Sequence, residues 1–244
     1  MAACWFGVRV GVQVLRGVAQ LPVFPRLSQA QRDGQIQAWA RGILDQFGVE
    51  LEVIGSPPRK GPVLLVSNHV SWLDIPALHA VCHCRFVAKA DVARWPVVGA
   101  LASGTGTMYV SRESRRDVLR VVHRMTEALR NGEILAVFPE ATTGDGSDVL
   151  PFHSSLIQAA IAADAPVQPV RLTIVDGRSD KPSRAASYMG DESLLGSVWR
   201  TLRARDLRVV ATFGTPQLND GRDRRAWAHA LRAEIAALQH TSTR

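Results

Sequence analysis

The sequence predicts an α/β fold, in which a β-sheet is flanked by helices. From Val49 onward, short apolar segments of strand character alternate with helical segments, as is typical of α/β domains. The 244 residues are enough to bury a full core, and the apolar fraction of 46% is ordinary for a globular protein. No repeat or low-complexity tract interrupts the alternation, so residues 49–244 are predicted to form one domain after an N-terminal helical segment, residues 1–48.

The individual elements follow from apolar periodicity and from turn residues. Strands are predicted over residues 49–53, 62–66, 85–89, 107–110, 134–138, 167–175 and 207–213. Helices are predicted over residues 28–47, 72 or 75 to 81, 91–102 (irregular), 114–129, 153–162, 193–203 and 222–239. Ser28 and Gln31 have the spacing of a capping box, and Gly48 ends the helix that they begin.

Residues 2–24 are mostly apolar, but Arg9 and Arg16 interrupt them two helical turns apart and so share a helix face. The uninterrupted apolar run of about 18 residues that predicts a transmembrane span is missing. The internal arginines, with no clear small-residue cleavage site, also argue against a secretory signal. We expect an amphipathic helix in the bilayer interface, with its arginines at lipid phosphates. A tilted single span and an ordinary core-packing helix are the alternatives.

The net charge of +7, in which arginine far outnumbers lysine, predicts an anionic partner. Nucleic acid, phosphorylated metabolites and an anionic membrane surface all fit this charge. Six tryptophans favour a lipid interface. The apolar N-terminal segment and the lack of a recognised nucleic-acid-binding motif count against nucleic acid.

The three cysteines, Cys4, Cys82 and Cys84, give no disulfide framework and are typical of a reducing compartment. Cys82 and Cys84 flank His83, which raises the question of a metal site. Zinc ligands in a pair are usually separated by two to four residues, and a one-residue gap directs the two thiols apart. We therefore expect no metal, and expect these cysteines to be partly buried small residues.

Polar residues follow three predicted strands, in Asn68–Asp74, Gly106–Arg112 and Pro139–Thr143. Functional groups gather at strand ends in open α/β sheets, so the three loops are expected to face one crevice. His69 has the chemistry of a general base, and Asp74 is near enough in sequence to fix its tautomer. The alternative is that Asp74 only caps a turn. No serine or cysteine nucleophile stands beside them, so the activated group would come from a substrate.

Two further residues in these loops have alternative interpretations. Arg112 follows an apolar strand and could bind a phosphate bidentately, or it could be a solvated member of a basic cluster with Arg115 and Arg116. Glu140 could orient an acceptor hydroxyl or support basic groups, or it could be structural. The sequence has no G-x-S-x-G elbow, Walker loop or complete Rossmann fingerprint.

Together these loops resemble the conserved blocks of the glycerolipid acyltransferases, the lysophosphatidic acid acyltransferase family. Asn68–Asp74 resembles N-H-x-x-x-x-D, and Gly106–Arg112 is similar to G-x-I-F-I-D-R. Val137–Thr142 is similar to F-P-E-G-T, and Ala165–Val170 to V-P-I-x-P. Four blocks in the family's order are far more specific than H-x-x-x-x-D alone. The resemblance covers about residues 64–172.

The resemblance implies a mixed β-sheet flanked by helices and an acyl transfer without an acyl-enzyme. The donor would be acyl-CoA or acyl carrier protein, with no other cofactor, and the acceptor 1-acylglycerol 3-phosphate, giving phosphatidic acid. His69 would be the general base and Asp74 its partner, with backbone amides near the turn stabilising the oxyanion. The substrate-binding residues would be Arg112, Glu140, Lys89, Thr142 and Thr143. The expected location is the cytoplasmic face of a bacterial inner membrane, as a peripheral or monotopic protein.

This sequence departs from the family's E-G-T-R pattern at Ala141 and Thr143. Ala141 lacks the backbone freedom of glycine, and Thr143 removes a cation that often grips the acceptor phosphate. The following residues, 144–146 and 150–155, resemble a bacterial subgroup that includes lyso-ornithine lipid acyltransferases. Lyso-ornithine lipid or another lysophospholipid is therefore the alternative acceptor. A non-catalytic basic membrane-binding protein is the alternative from a different class, and the intact His69–Asp74 pair argues against it.

Overall fold

The computed structural model describes residues 2–111, 113–188 and 192–238. Its strands are β1 Val49–Ile54, β2 Val63–Ser67, β3 Arg85–Lys89, β4 Met108–Val110, β5 Ile134–Val137, β6 Val167–Asp176 and β7 Leu207–Phe213. They form one seven-stranded sheet in the order β1-β7-β6-β2-β5-β3-β4. Each predicted strand is present and pairs with its neighbours in this sheet.

The sheet is mixed, as the resemblance implied. β6 and β7 pair antiparallel, and the other neighbouring strands pair parallel. Consequently β2, β5, β3 and β4 all end at the same edge of the sheet. The loops after these four strands, which carry the candidate site residues, therefore lie side by side. We call this edge the catalytic edge.

The helices agree with the predicted ones except at one start. They are α1 Ala2–Gln20, α2 Gln29–Phe47, α3 Asp74–Val81, α4 Val98–Gly104, α5 Arg115–Arg130, α6 Gln158–Ala163, α7 Leu194–Arg203 and α8 Arg224–Ala237, with 3-10 helices at Leu21–Arg26 and Ala90–Arg94. The prediction that α6 begins at His153 is wrong. The amide of His153 instead donates to the carbonyl of Pro139 (2.9 Å), which ties this segment across the end of β5.

Helices cover both faces of the sheet, and each face has its own hydrophobic core. On one face, which we call the α2 side, the core contains residues of α2 and α3, with α1 and α7 packed around it. On the other, the α5 side, the core contains residues of α5, α6 and α8. Neighbouring strand residues enter opposite cores, as Leu65 and Leu64 of β2 do.

The N-terminal helix α1 is packed closely on α2. Gln13 Nε2 donates to the carbonyl of Trp39 (3.1 Å), and Trp39 Nε1 donates to the carbonyl of Gln13 (2.9 Å). Gly17 permits this approach, because a Cβ there would lie 2.5 Å from Trp39 Nε1. Among the described residues no helix is long and apolar enough to cross a membrane. α2 itself covers the sheet, and the division between residues 1–48 and 49–244 stays a prediction.

Candidate active site

The chain leaves β2 along a path fixed by Asn68. Its buried side-chain amide donates to the carbonyl of Leu172 (2.9 Å), and its oxygen accepts from the amide of the same residue (2.7 Å). Asn68 thus clamps the end of β2 to β6, which makes its role here structural. The next residue, His69, is held at the catalytic edge as a result.

His69 and Asp74 form a short, well-supported pair. Nδ1 of His69 lies 2.6 Å from Oδ2 of Asp74. The same oxygen accepts from the backbone amides of Val70 (2.7 Å) and Ser71 (2.9 Å). Asp74 is fully buried at the first turn of α3, where these donors and the helix dipole stabilise its negative charge. Asp74 therefore accepts the amides of the turn and also contacts the histidine, and its part in catalysis stays a prediction.

The pairing at Nδ1 determines which nitrogen of His69 is available for chemistry. With Nδ1 directed at the carboxylate, Nε2 is the atom that can accept a proton. The ring stacks on Phe138, with centroids 4.1 Å apart and planes 14° apart, and its side chain is 21% exposed. Phe138 directly follows β5, the neighbour of β2, which brings the two rings together. Phe138 is not among the predicted site residues, and its position in the segment similar to F-P-E-G-T is the signal that could have identified it.

Glu140 joins two loops of the site through their backbones. Its Oε2 accepts from the amide of His69 (3.2 Å), and its Oε1 accepts from the amide of Leu150 (3.0 Å). The carboxyl is buried, and this burial raises the pKa of Glu140 to about 7, although the two amide hydrogen bonds act in the opposite direction. In this structure Glu140 therefore supports the histidine's backbone. A contact with substrate stays a prediction.

Ala141 has the backbone conformation that explains the glycine of the family pattern. Its φ of 62° lies in the left-handed region, where a Cβ costs roughly 1 kcal/mol. The loop therefore keeps the turn that glycine would make easily, at some cost in strain. Beyond it, the amide of Gly144 donates to the carbonyl of His69 (2.8 Å), so this loop lies directly against the histidine.

The segment before α7 is fastened to both loops of the site. The buried hydroxyl of Ser71 donates to the carbonyl of Ala186, and the hydroxyl of Thr143 donates to the carbonyl of Tyr188. Thr143 is thus placed at the site with its hydroxyl already bonded to the protein. These links join residues far apart in sequence, and no sequence pattern pointed to them.

The other predicted substrate-binding residues are placed less centrally. Thr142 is exposed in the loop after Glu140. Lys89 ends β3 at the catalytic edge, where its ammonium lies 2.9 Å from a carboxylate oxygen of Asp91. Arg112 lies outside the described residues. The structure therefore brings His69, Asp74 and Glu140 into contact, with Thr143 nearby.

The turn amides are less available to a substrate than the resemblance implied. Those of His69, Val70 and Ser71 all donate to carboxylates of Glu140 or Asp74. An oxyanion at this site would need donors other than these three amides, and its stabilisation by other amides near the turn stays a prediction.

Cys82 and Cys84 are buried, and burial raises the pKa of the Cys84 thiol. No cluster of three or more histidine, cysteine, aspartate or glutamate side chains in the described part of the chain is arranged to hold a metal ion.

Comparisons with known proteins agree with this geometry. A family profile described as Acyltransferase matches residues 49–173. The chain is 38% identical over 175 residues to the 1-acyl-sn-glycerol-3-phosphate acyltransferase of Neisseria meningitidis, covering 71% of this chain and 68% of the relative. It is 34% identical over 222 residues to the lyso-ornithine lipid O-acyltransferase of Pseudomonas aeruginosa, covering 91% and 80%.

The fold also matches a solved structure. The crystal structure of the 1-acyl-sn-glycerophosphate acyltransferase from Thermotoga maritima superposes with a TM-score of 0.69 at 20% identity, covering 97% of this chain and 92% of that one. At this identity the likeness establishes the shared α/β architecture. Because the family profile spans half of the chain and the sequence relatives exceed 30% identity, this protein is an enzyme that belongs to the acyltransferase family.

Proposed function

We propose that the enzyme transfers a fatty acyl group from acyl-CoA or acyl carrier protein to the free hydroxyl of 1-acylglycerol 3-phosphate, giving phosphatidic acid. The observation that carries this proposal is the 2.6 Å contact between His69 Nδ1 and Asp74, which leaves Nε2 as the base at a partly exposed position. The acceptor follows from the name of the Neisseria relative.

In the proposed reaction His69 Nε2 removes the proton of the acceptor hydroxyl as its oxygen attacks the thioester carbonyl carbon. Asp74 stabilises the imidazolium that forms. The carbon–sulfur bond then breaks, and the imidazolium returns the proton to the departing thiolate. The lysolipid oxygen thus takes the part that a protein nucleophile has in other acyl transfers, and no cofactor beyond the donor is needed.

Lyso-ornithine lipid is the second candidate acceptor. The relative with that name matches 91% of this chain, a larger share than the Neisseria enzyme does. Thr143 also supports it, because it stands where the family pattern often has a phosphate-gripping cation and its hydroxyl is bonded to the carbonyl of Tyr188. Arg112 and Lys89 are the cations that we propose for a phosphate acceptor.

We further propose that α1 holds the enzyme on the cytoplasmic face of the inner membrane as a peripheral or monotopic protein. Val8, Val12 and Leu15 lie exposed on this helix, close in sequence to Arg9 and Arg16. α7 packs on the same side of the sheet and exposes Leu195 and Trp199. Apolar and tryptophan side chains bordered by arginines are typical of a surface that rests in the lipid interface.

The catalytic proposal is tested by assaying acyl transfer in lipid micelles with lysophosphatidic acid and lyso-ornithine lipid as acceptors. His69→Ala should reduce kcat by about 10²- to 10⁴-fold with the preferred acceptor, because general-base catalysis is lost. Circular dichroism should show that the variant is folded. Retained activity in a folded variant would contradict the mechanism, and the acceptor used by the wild type decides between the two candidates.

The membrane proposal is tested with two equally exposed leucines on opposite sides of the sheet. Leu15 on α1 is 65% exposed, and Leu119 on α5 is 68% exposed. Leu15→Asp should weaken sedimentation with anionic vesicles by roughly tenfold, because a charge replaces a lipid-buried side chain. Leu119→Asp should leave sedimentation unchanged. Equal partitioning of the two variants would exclude α1 as the docking surface.

A further inference from the structure

The exposed surface of α5 is strongly basic. It carries the arginines Arg115, Arg116, Arg120, Arg124 and Arg130, and we call this surface the basic face. Two carboxylates lie among them: Asp117, which pairs with Arg120 (2.9 Å), and Glu127, which lies 3.4 Å from His123. Within the described ranges, Arg115, Arg116 and Arg124 form no ion pair. The basic face therefore presents uncompensated positive charge to solvent.

The basic face also contains an apolar contact point. Leu119 lies among these arginines with most of its side chain in solvent, while its helix neighbours Val121 and Met125 are buried in the core of the α5 side. Leu119 gives the basic face one apolar contact for a partner, since protein interfaces combine apolar and arginine side chains.

The position of α5 connects this surface to the site. β4 ends at Val110 on the catalytic edge, and α5 begins shortly afterwards at Arg115. From there its 16 residues extend about 24 Å away from that edge. A partner bound along α5 would therefore have one end at the catalytic edge, where β3 and β5 lie between β4 and the strand that precedes His69.

The orientation of the basic face argues for a partner in solution. α5 packs on the α5 side of the sheet, whereas α1 and α7, with the exposed apolar residues, pack on the α2 side. A bilayer that receives α1 lies on the opposite side of the sheet from the basic face. With the enzyme docked through α1 as proposed, the arginines of α5 are directed away from the lipid surface.

We propose that the basic face of α5 docks an acidic acyl carrier protein, which delivers the acyl thioester to the catalytic edge. This inference rests on the proposed acyl transfer and selects the donor. Opposite charge would steer the carrier to α5 and set its orientation. Its long flexible prosthetic arm would then carry the thioester to His69, while the lysolipid enters from the bilayer side.

The test compares two charge reversals of equal size. Arg116→Glu/Arg124→Glu changes the basic face and spares the Arg120–Asp117 ion pair. Arg224→Glu/Arg225→Glu changes exposed arginines at the start of α8. This control lies at the opposite edge of the sheet, because Gln217 bridges Val167, the first residue of β6.

For the wild type and both variants, carrier-protein binding is measured by fluorescence anisotropy with a labelled acyl carrier protein. Transfer is measured with acyl carrier protein and with acyl-CoA. The α5 variant should lose about tenfold or more in carrier affinity and in kcat/KM with the carrier donor, mainly through KM. Its kcat/KM with acyl-CoA and its vesicle sedimentation should match the wild type, and the α8 variant should match it throughout.

Several results would overturn the inference. Wild-type protein that does not bind the carrier, or an α5 variant that binds it normally, removes the docking site. An equal loss with both donors means that α5 serves the reaction or binds the phosphates of CoA, and a loss of vesicle binding assigns α5 to the membrane. If the carrier binds through α5 but neither donor is used, the acyl-transfer proposal has failed while the docking surface stands.

Discussion

The described part of the chain contains two histidine–aspartate pairs, and their difference shows what makes one of them suitable as a base. In the first, His69 Nδ1 lies 2.6 Å from Asp74 at the catalytic edge. In the second, His83 Nε2 lies 3.6 Å from Asp33, where the link between α3 and β3 meets α2. The residue types are the same. What differs is the backbone around each carboxylate.

Asp74 accepts two backbone amides on the oxygen that holds His69, so its charge and its position are fixed by the turn itself. Asp33 is partly exposed, and it accepts a hydrogen bond from the side chain of Gln29 (2.7 Å). Burial raises the pKa of Asp33 and lowers the pKa of His83, which favours the neutral form of each. The surroundings of the second pair thus oppose charge separation, whereas those of the first stabilise it.

The largest expected difference between the pairs comes from removing each carboxylate charge. Asp74→Asn should lower kcat by about 10²- to 10⁴-fold, because an amide cannot stabilise the imidazolium and favours the wrong tautomer. Asp33→Asn should leave kcat within about twofold, since this pair lies outside the site. Steady-state assays measure kcat for both variants. Similar losses of kcat in the two would show that the pairs do not differ in their importance for catalysis.

The second pair should matter instead for stability in acid, through its neighbour His79. This ring is fully buried, stacks 5.5 Å from His83 and packs against Phe86. Burial, together with the charge of His83, lowers the pKa of His79 to about 3. Between this value and about 6.5 the unfolded state binds the extra proton, so the free energy of unfolding falls as the pH falls.

His79→Phe should flatten that dependence. In the wild type this histidine should remove about 1.4 kcal/mol per pH unit below 6.5, or about 2 kcal/mol at pH 5. Nδ1 of His79 has no hydrogen-bond partner among the described residues, so an apolar ring forfeits little at neutral pH. Urea unfolding at pH 7.5 and pH 5 measures the effect. The same fall in both proteins would show that His79 is not its source.

The first pair could be predicted from the sequence because its two side chains and the backbone that holds them lie within one short segment. The six residues from His69 to Asp74 contain the turn, its amides and the start of α3, and the apolar run of β2 places them at a strand end. The contacts that support this turn are distant. Ser71 reaches Ala186 and Asn68 reaches Leu172, and such contacts depend on which strands become neighbours.

The start of α6 was missed for a related reason. Helical periodicity continues through residues 153–157, but a backbone hydrogen bond to Pro139 competes with the helix there. The helix propensity of a segment does not reveal a hydrogen-bond partner that is distant in sequence. The order of the strands, with β7 inserted between β1 and β6, is likewise a property of the assembled sheet.

The smallest expected effect concerns Glu140. This residue also distinguishes the two pairs, because it connects the loop of the first pair to a second loop of the site. Both of its oxygens accept backbone amides, and glutamine can supply only one acceptor. Glu140→Gln should therefore leave one amide unpaired, loosen the backbone of His69, and lower kcat by about tenfold, or about 1.4 kcal/mol. KM for the lysolipid should stay within about twofold, because these contacts are with the protein.

The pH dependence of the free energy of unfolding, compared between the wild type and Glu140→Gln, gives an independent check on the buried position of Glu140. Because the folded-state pKa of Glu140, about 7, is above its ordinary value of 4.5, the folded state binds the extra proton between these values. Ionisation therefore reduces the free energy of unfolding as the pH rises from 4.5 to 7, and the glutamine variant should lack this contribution.

A Glu140→Gln variant that keeps kcat but raises KM for the acceptor would instead place Glu140 against the substrate, as the family resemblance implied.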